Sequence, residues 1–144
     1  MQQQPDIPGV TYITPTANIR SAANGGRAKC LQRLIRLGLP VPDTFAIDFA
    51  TVAGIAQGTR IDTAALIDMF GGGALVSVRP SSTTADWGGP PSVLNIGMTR
   101  AQHSALSHRL GPQAADALYS RFIQSFATQI ARLNPDLFDG QDID

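Results

Sequence analysis

Glutamate is absent from this chain of 144 residues, so all eleven of its acids are aspartates. Lysine occurs once, at position 29, and arginine carries the rest of the positive charge to a formal net charge of zero. With no basic run and no aromatic ladder, a nucleic-acid partner is not expected. One cysteine, Cys30, and no secretory apolar segment point to a reducing cytoplasm. No apolar run approaches the length of a membrane span, because glycine and proline interrupt the longest candidates. The two histidines, His103 and His108, sit five apart, which puts their rings roughly 140° apart around a helix. A helix that holds a metal with two histidines needs them four apart, so both read as structural rather than ligating. The length suits one domain, large enough to bury about two thirds of its unfolded surface.

What is present is concentrated between Ala74 and Gly97. Alternation over Leu75, Val76, Ser77 and Val78 predicts a half- or fully buried strand that Pro80 ends, leaving Arg79 at its terminus. Ser81, Ser82, Thr83, Thr84, Gly88 and Gly89 follow. A fixed guanidinium beside backbone amides and hydroxyls suits an anionic phosphate chain. An ordinary surface loop with a solvated arginine fits the same residues.

Residues 25–47 add a helix. Gly25 and Gly26 open it, Cys30, Leu31, Leu34, Ile35 and Leu37 form its apolar stripe, and Gly38 with Pro40 closes it. Cys30 is expected to be a small core residue. Lys29, Gln32, Arg33 and Arg36 fall on the opposite, solvated face. Arg27 projects one turn before Leu31, on the apolar side. There it either faces a cleft, a partner or an anion, or snorkels past the core edge to water.

Elsewhere the pattern predicts a strand at Val10–Thr14, a strand at Thr44–Ile47, and helices at Phe49–Ala56 and Thr63–Phe70. A helix over Arg100–Leu110 follows, begun by Thr99 and Gln102 as a capping box. Gly111-Pro112 stops it before a final helix over Gln113–Leu133. Leu118, Phe122, Phe126, Ile130 and Leu133 form that helix's stripe, with Arg121 off it and solvated. The architecture is α+β, a small sheet covered by helices. Residues 1–9 read as a flexible terminus, 10–133 as the domain and 134–144 as an acidic tail.

The two central segments resemble the amino-terminal nucleotide-binding region of the pyruvate, phosphate dikinase and phosphoenolpyruvate synthase family. Residues 25–45 follow the family's GGKGxNLxxMxxLGxPVPxGF without a gap, and residues 75–97 run parallel to its strand and loop. Tyr119–Gln124 looks like its YRRFI helix. The resemblance implies the first lobe of an ATP-grasp fold that binds ATP. Arg27 stands where the family has a triphosphate-binding lysine, and Arg79 and Arg121 match its other basic contacts. Gly88 and Gly89 fall in the loop that closes over the phosphates, and Asn95 and Gly97 match the segment after it.

Departures from the family are as informative. Thr83 replaces a basic residue, Gly89-Pro90 replaces a methionine pair, and Pro91 replaces an acid. Prolines remove amide donors from a loop whose amides should meet phosphate, and Asp86 adds negative charge nearby. The family's magnesium-binding acids, its phosphohistidine domain and its pyruvate-binding barrel all lie downstream of the region matched. No catalytic residue and no metal ligand can therefore be assigned. Magnesium is expected only if a second lobe or partner supplies its ligands. Three functions stay open: the basic half of a phosphotransferase site, inactive alone; a stand-alone nucleotide or phosphate binding module; and a non-catalytic interaction protein, self-associating or paired over the exposed half-site.

Overall fold

The computed structural model describes residues 7–84 and 91–137. Their contacts divide into two units, one built from the chain up to Gly72 with Ser81–Gly89, the other from Gly73–Pro80 with the chain from Pro90 onward. Among the described residues there are five α-helices and two two-stranded antiparallel sheets, a mixed α/β composition. No helix among them is long and apolar enough to cross a membrane.

In the first unit, β1 (Val10–Tyr12) pairs with β2 (Phe45–Ile47) in the register Val10↔Ile47, Thr11↔Ala46 and Tyr12↔Phe45. This cross-strand aromatic pair has its ring centroids 5.0 Å apart, and Phe70 meets Phe45 edge-on at 4.9 Å. Between the strands lies α1 (Ser21–Arg36). Helices α2 (Phe49–Ala56) and α3 (Thr63–Asp68) follow, each N-capped by an aspartate: Asp48 accepts from the Thr51 amide and Asp62 from the Ala65 amide. Such caps satisfy amides that a helix start leaves without partners. Ile13, Ile19, Ala28 and Ala46 form the core, with Leu31 and Ile35 packed against it.

Helix α1 corrects the sequence reading in three ways. It begins at Ser21, upstream of the double glycine, and Gly25 interrupts it with φ 83° and ψ 163°. Its buried face is Ala28, Gln32 and the flanking Leu31 and Ile35, so the stripe is rotated from the expected one. Cys30 is exposed rather than in the core, and Leu37 is 74 % exposed. The closing turn is as expected: Gly38, at φ 73°, donates to the Ile35 carbonyl, and Leu39 donates to that of Leu34. This pair of bonds satisfies the last carbonyls of the helix.

Gln32 explains the rotation. Fully buried, its Nε2 donates to the carbonyls of Thr14 (3.0 Å) and Ala17 (2.7 Å), while its Oε1 accepts from Lys29 Nζ at 2.9 Å. Lys29 also donates to the Ile19 carbonyl. The helix thereby holds residues 14–19 through polar groups, which burial permits because each is hydrogen-bonded. Residues 7–9 are also more fixed than a loose terminus: Ile7 is buried, and the Gly9 carbonyl accepts from the Asp48 amide.

The second unit pairs β3 (Val76–Val78) with β4 (Val93–Ile96) through Val76↔Ile96 and Val78↔Val93, with an irregularity between. Strand β4 was not anticipated; the sequence reading ran the loop directly into the next helix. Helices α4 (Arg100–Leu110) and α5 (Pro112–Gln129) form a hairpin, with Gly111 as the C-cap of the first. Met98, Leu106 and Ala115 form this core, with Leu75, Leu118 and Phe122 against it. Helix α5 stops short of the expected Leu133, and a single 3-10 turn follows at Pro135–Leu137. Thr99 caps α4 by accepting from the Gln102 amide, but the Gln102 side chain donates to the Gly73 carbonyl instead of completing a capping box.

Candidate phosphate-binding site

Two segments distant in the sequence meet in the first unit. At the Gly25 kink, the Gly26 amide donates to the Ser82 carbonyl at 2.7 Å and the Arg27 amide donates to Ser81 Oγ at 3.2 Å. The positive φ of Gly25 lies in a region that side chains rarely adopt, and a β-carbon there would overlap Ser81 Oγ. Ser82 Oγ lies 2.9 Å from Thr84 Oγ1 and accepts the Thr84 amide at 3.2 Å, which folds the loop back on itself. Ser81 and Ser82 are half-buried, while Arg27 is exposed beside them at the restarted helix. The loop thus fixes where the Arg27 backbone sits, at the positive end of the longer part of α1.

The other candidates distribute as follows. Arg79 lies immediately beyond β3 and is exposed, and Arg121 is exposed on α5; both belong to the second unit. No side-chain hydrogen bond or ion pair engages either guanidinium among the described residues. Asn95 adopts φ 55° and donates from Nδ2 to the Leu118 carbonyl at 3.1 Å, tying β4 to α5. Ser125 Oγ accepts the Leu94 amide beside it. Gly88 and Gly89, with Asp86 and Pro90, lie outside the described residues, whereas Pro91 is described and exposed.

His103 is half-buried and His108 exposed. His103 Nε2 lies 2.7 Å from Asp116 Oδ1, and the Tyr119 ring meets the imidazole edge-on at 5.5 Å. That pair joins α4 to α5, and the described residues contain no group of three His, Cys, Asp or Glu side chains able to hold a metal ion. A separate groove of about 650 Å³ runs between α2 and α3, lined by Ile7, Thr51, Thr59, Arg60 and Ala65, and includes none of the candidate residues. The docking of Ser81 and Ser82 on the restarted helix is a structural contact that the sequence pattern does not disclose.

No protein-family model matches the chain, and no curated protein matches it significantly.

Proposed function

We propose that this chain is the phosphate-binding half of a dikinase-type, ATP-grasp nucleotide site, cytoplasmic and without phosphotransferase activity by itself. By the family resemblance, Arg27, Arg79 and Arg121 are the candidate basic residues and Gly88 and Gly89 the candidate phosphate cap. The observation that carries this reading is the contact between Gly25–Arg27 and Ser81–Ser82: the two motifs that resemble the family are joined by direct hydrogen bonds. Guanidinium groups are suited to such a ligand because their planar donors bind phosphate oxygens two at a time.

Magnesium enters only with ligands from a further lobe or partner. Carboxylates and metal ions are what phosphoryl transfer uses to neutralise developing charge. The chain is therefore expected to bind ATP with little dependence on magnesium and to turn none over. Titration calorimetry of the full chain with ATP, with and without magnesium, tests this. The expected outcome is one site whose affinity falls about tenfold or more in Arg79→Ala and in Arg27→Ala. Folded protein that releases no heat with millimolar ATP would refute it, as would robust turnover by the chain alone.

A further inference from the structure

The apolar face of helix α5 is broad, and only part of it is covered. Ala115, Leu118 and Phe122 pack into the core of the second unit. Beside them Tyr119, Ile123, Phe126 and Ile130 form a ridge, exposed by 41 %, 40 %, 46 % and 56 %, which joins the core face where the Phe126 and Phe122 rings meet. Leu133 extends it: its amide donates to the Ala127 carbonyl at 3.0 Å, which draws the chain back over the last turn, and it remains 48 % exposed. Steps of four, three and four keep the helical members on one side of the axis. We propose that this ridge is a self-association surface, packing against the same ridge of a second copy about a two-fold axis.

The area favours that occupant. Large apolar side chains carry roughly 150–250 Å² each, so at these exposures the ridge offers about 400 Å² per copy. A patch of that size, about 300–600 Å², is as large as a typical monomer shows and commonly marks an interaction site. Two copies bring together about 800 Å² of apolar surface. Interface cores are about 65 % apolar, so the whole contact is roughly 1,200 Å², the small end of specific interfaces.

Charge points to the same partner. The charged residues within α5 are Asp116, bonded to His103, and Arg121. Arg121 lies roughly 160° around the helix from the ridge, so two copies do not oppose their arginines. Ser120, Gln124 and Ala127 flank the ridge without charge. Asp116, 57 % exposed and bonded to His103, is the one α5 charge beside the ridge, at its first turn, and a chain of zero net charge meets little repulsion from its own copy. A two-fold contact also makes the ridge complementary to itself, residue against residue.

Sedimentation velocity of the full chain from low to high micromolar concentration tests the proposal. The expected result is a reversible dimer of the 15.2 kDa chain with a micromolar dissociation constant. Phe126→Asp is expected to weaken it about thirtyfold or more, with an unchanged circular dichroism spectrum. Ile123→Gln, a milder change on the same ridge, supplies the readout if Phe126→Asp unfolds. A single monomeric species at every concentration overturns the proposal, even if it binds apolar vesicles or another protein. A dimer that persists undiminished in the ridge variants overturns it equally. ATP affinity is expected to stay unchanged in Ile123→Gln, because Arg121 faces the other side of the helix.

Discussion

The Gly26 amide and the Ser82 carbonyl are hydrogen-bonded at 2.7 Å, so the restart of α1 is capped by a loop that follows β3. Arg27 and Ser81 repeat the contact one residue along, across 54 positions of sequence. At the upstream end of α1 the Arg20 side chain makes no cap bond, and Asn24 Oδ1 accepts the Arg20 amide at 3.1 Å. The stability of the helix start and the shape of the candidate site therefore depend on the same few atoms.

Gly25→Ala should destabilise the chain by about 2–4 kcal/mol in urea unfolding. The backbone there sits in a region reserved for glycine, which costs a side chain roughly 1–3 kcal/mol, and the new methyl collides with Ser81 Oγ. Adding Ser81→Gly is expected to recover the collision part and leave the backbone strain. Equal stability of the single and double variants would mean that the collision contributes nothing.

Gln32→Leu should cost about 2–3 kcal/mol although it adds apolar volume to a buried position. The Thr14 and Ala17 carbonyls each lose one of two donors and Lys29 loses one of two acceptors, and each such hydrogen bond contributes about 0.5–1.5 kcal/mol. Chemical denaturation of the variant checks this. A neutral or stabilising effect would place Gln32 on the solvated face after all.

Hydrogen bonds from the Thr51 amide, and secondarily from its hydroxyl, hold the Asp48 carboxyl below its ordinary value. A lowered folded pKa stabilises the fold above the unfolded value near 4 and loses that contribution as pH falls through the folded pKa. Thermal melts of the wild type should thus drop on acidification below about pH 4. Asp48→Asn, which keeps a cap but does not titrate, should show a shallower drop, and Asp48→Ala should lose about 1 kcal/mol at neutral pH. Identical acid profiles for wild type and Asp48→Asn would show that the cap is not the source.

Cys30 is exposed on α1, so one thiol should react with an aromatic disulfide reagent in native buffer at nearly the rate found in denaturant. Protection by orders of magnitude would return it to the core.

The local patterns were legible in the sequence. Helices α2 and α4 have the expected bounds, because an aspartate or threonine cap and a glycine mark their ends. The Gly38 closure followed from glycine's tolerance of a positive φ. Strand β4 was missed because four residues between two proline-rich and glycine-rich stretches carry too little periodicity to stand out. The end of α5 was overestimated because apolar spacing continues to Leu133 after the helical hydrogen bonds have stopped.

By itself the sequence determined where α2 and α4 begin and end, the stop at Gly38, and the basic and hydroxyl residues available to an anion, since each depends on neighbours within a turn or two. Tertiary structure alone decided which face of α1 is buried and what caps its restart. Gln32 turns inward because its amide bridges the Thr14 and Ala17 carbonyls to Lys29, and Ser81 meets Arg27 across 54 positions of sequence. Contacts between residues far apart in the chain leave no periodic trace in it, because their free energy depends on partners that local spacing does not specify.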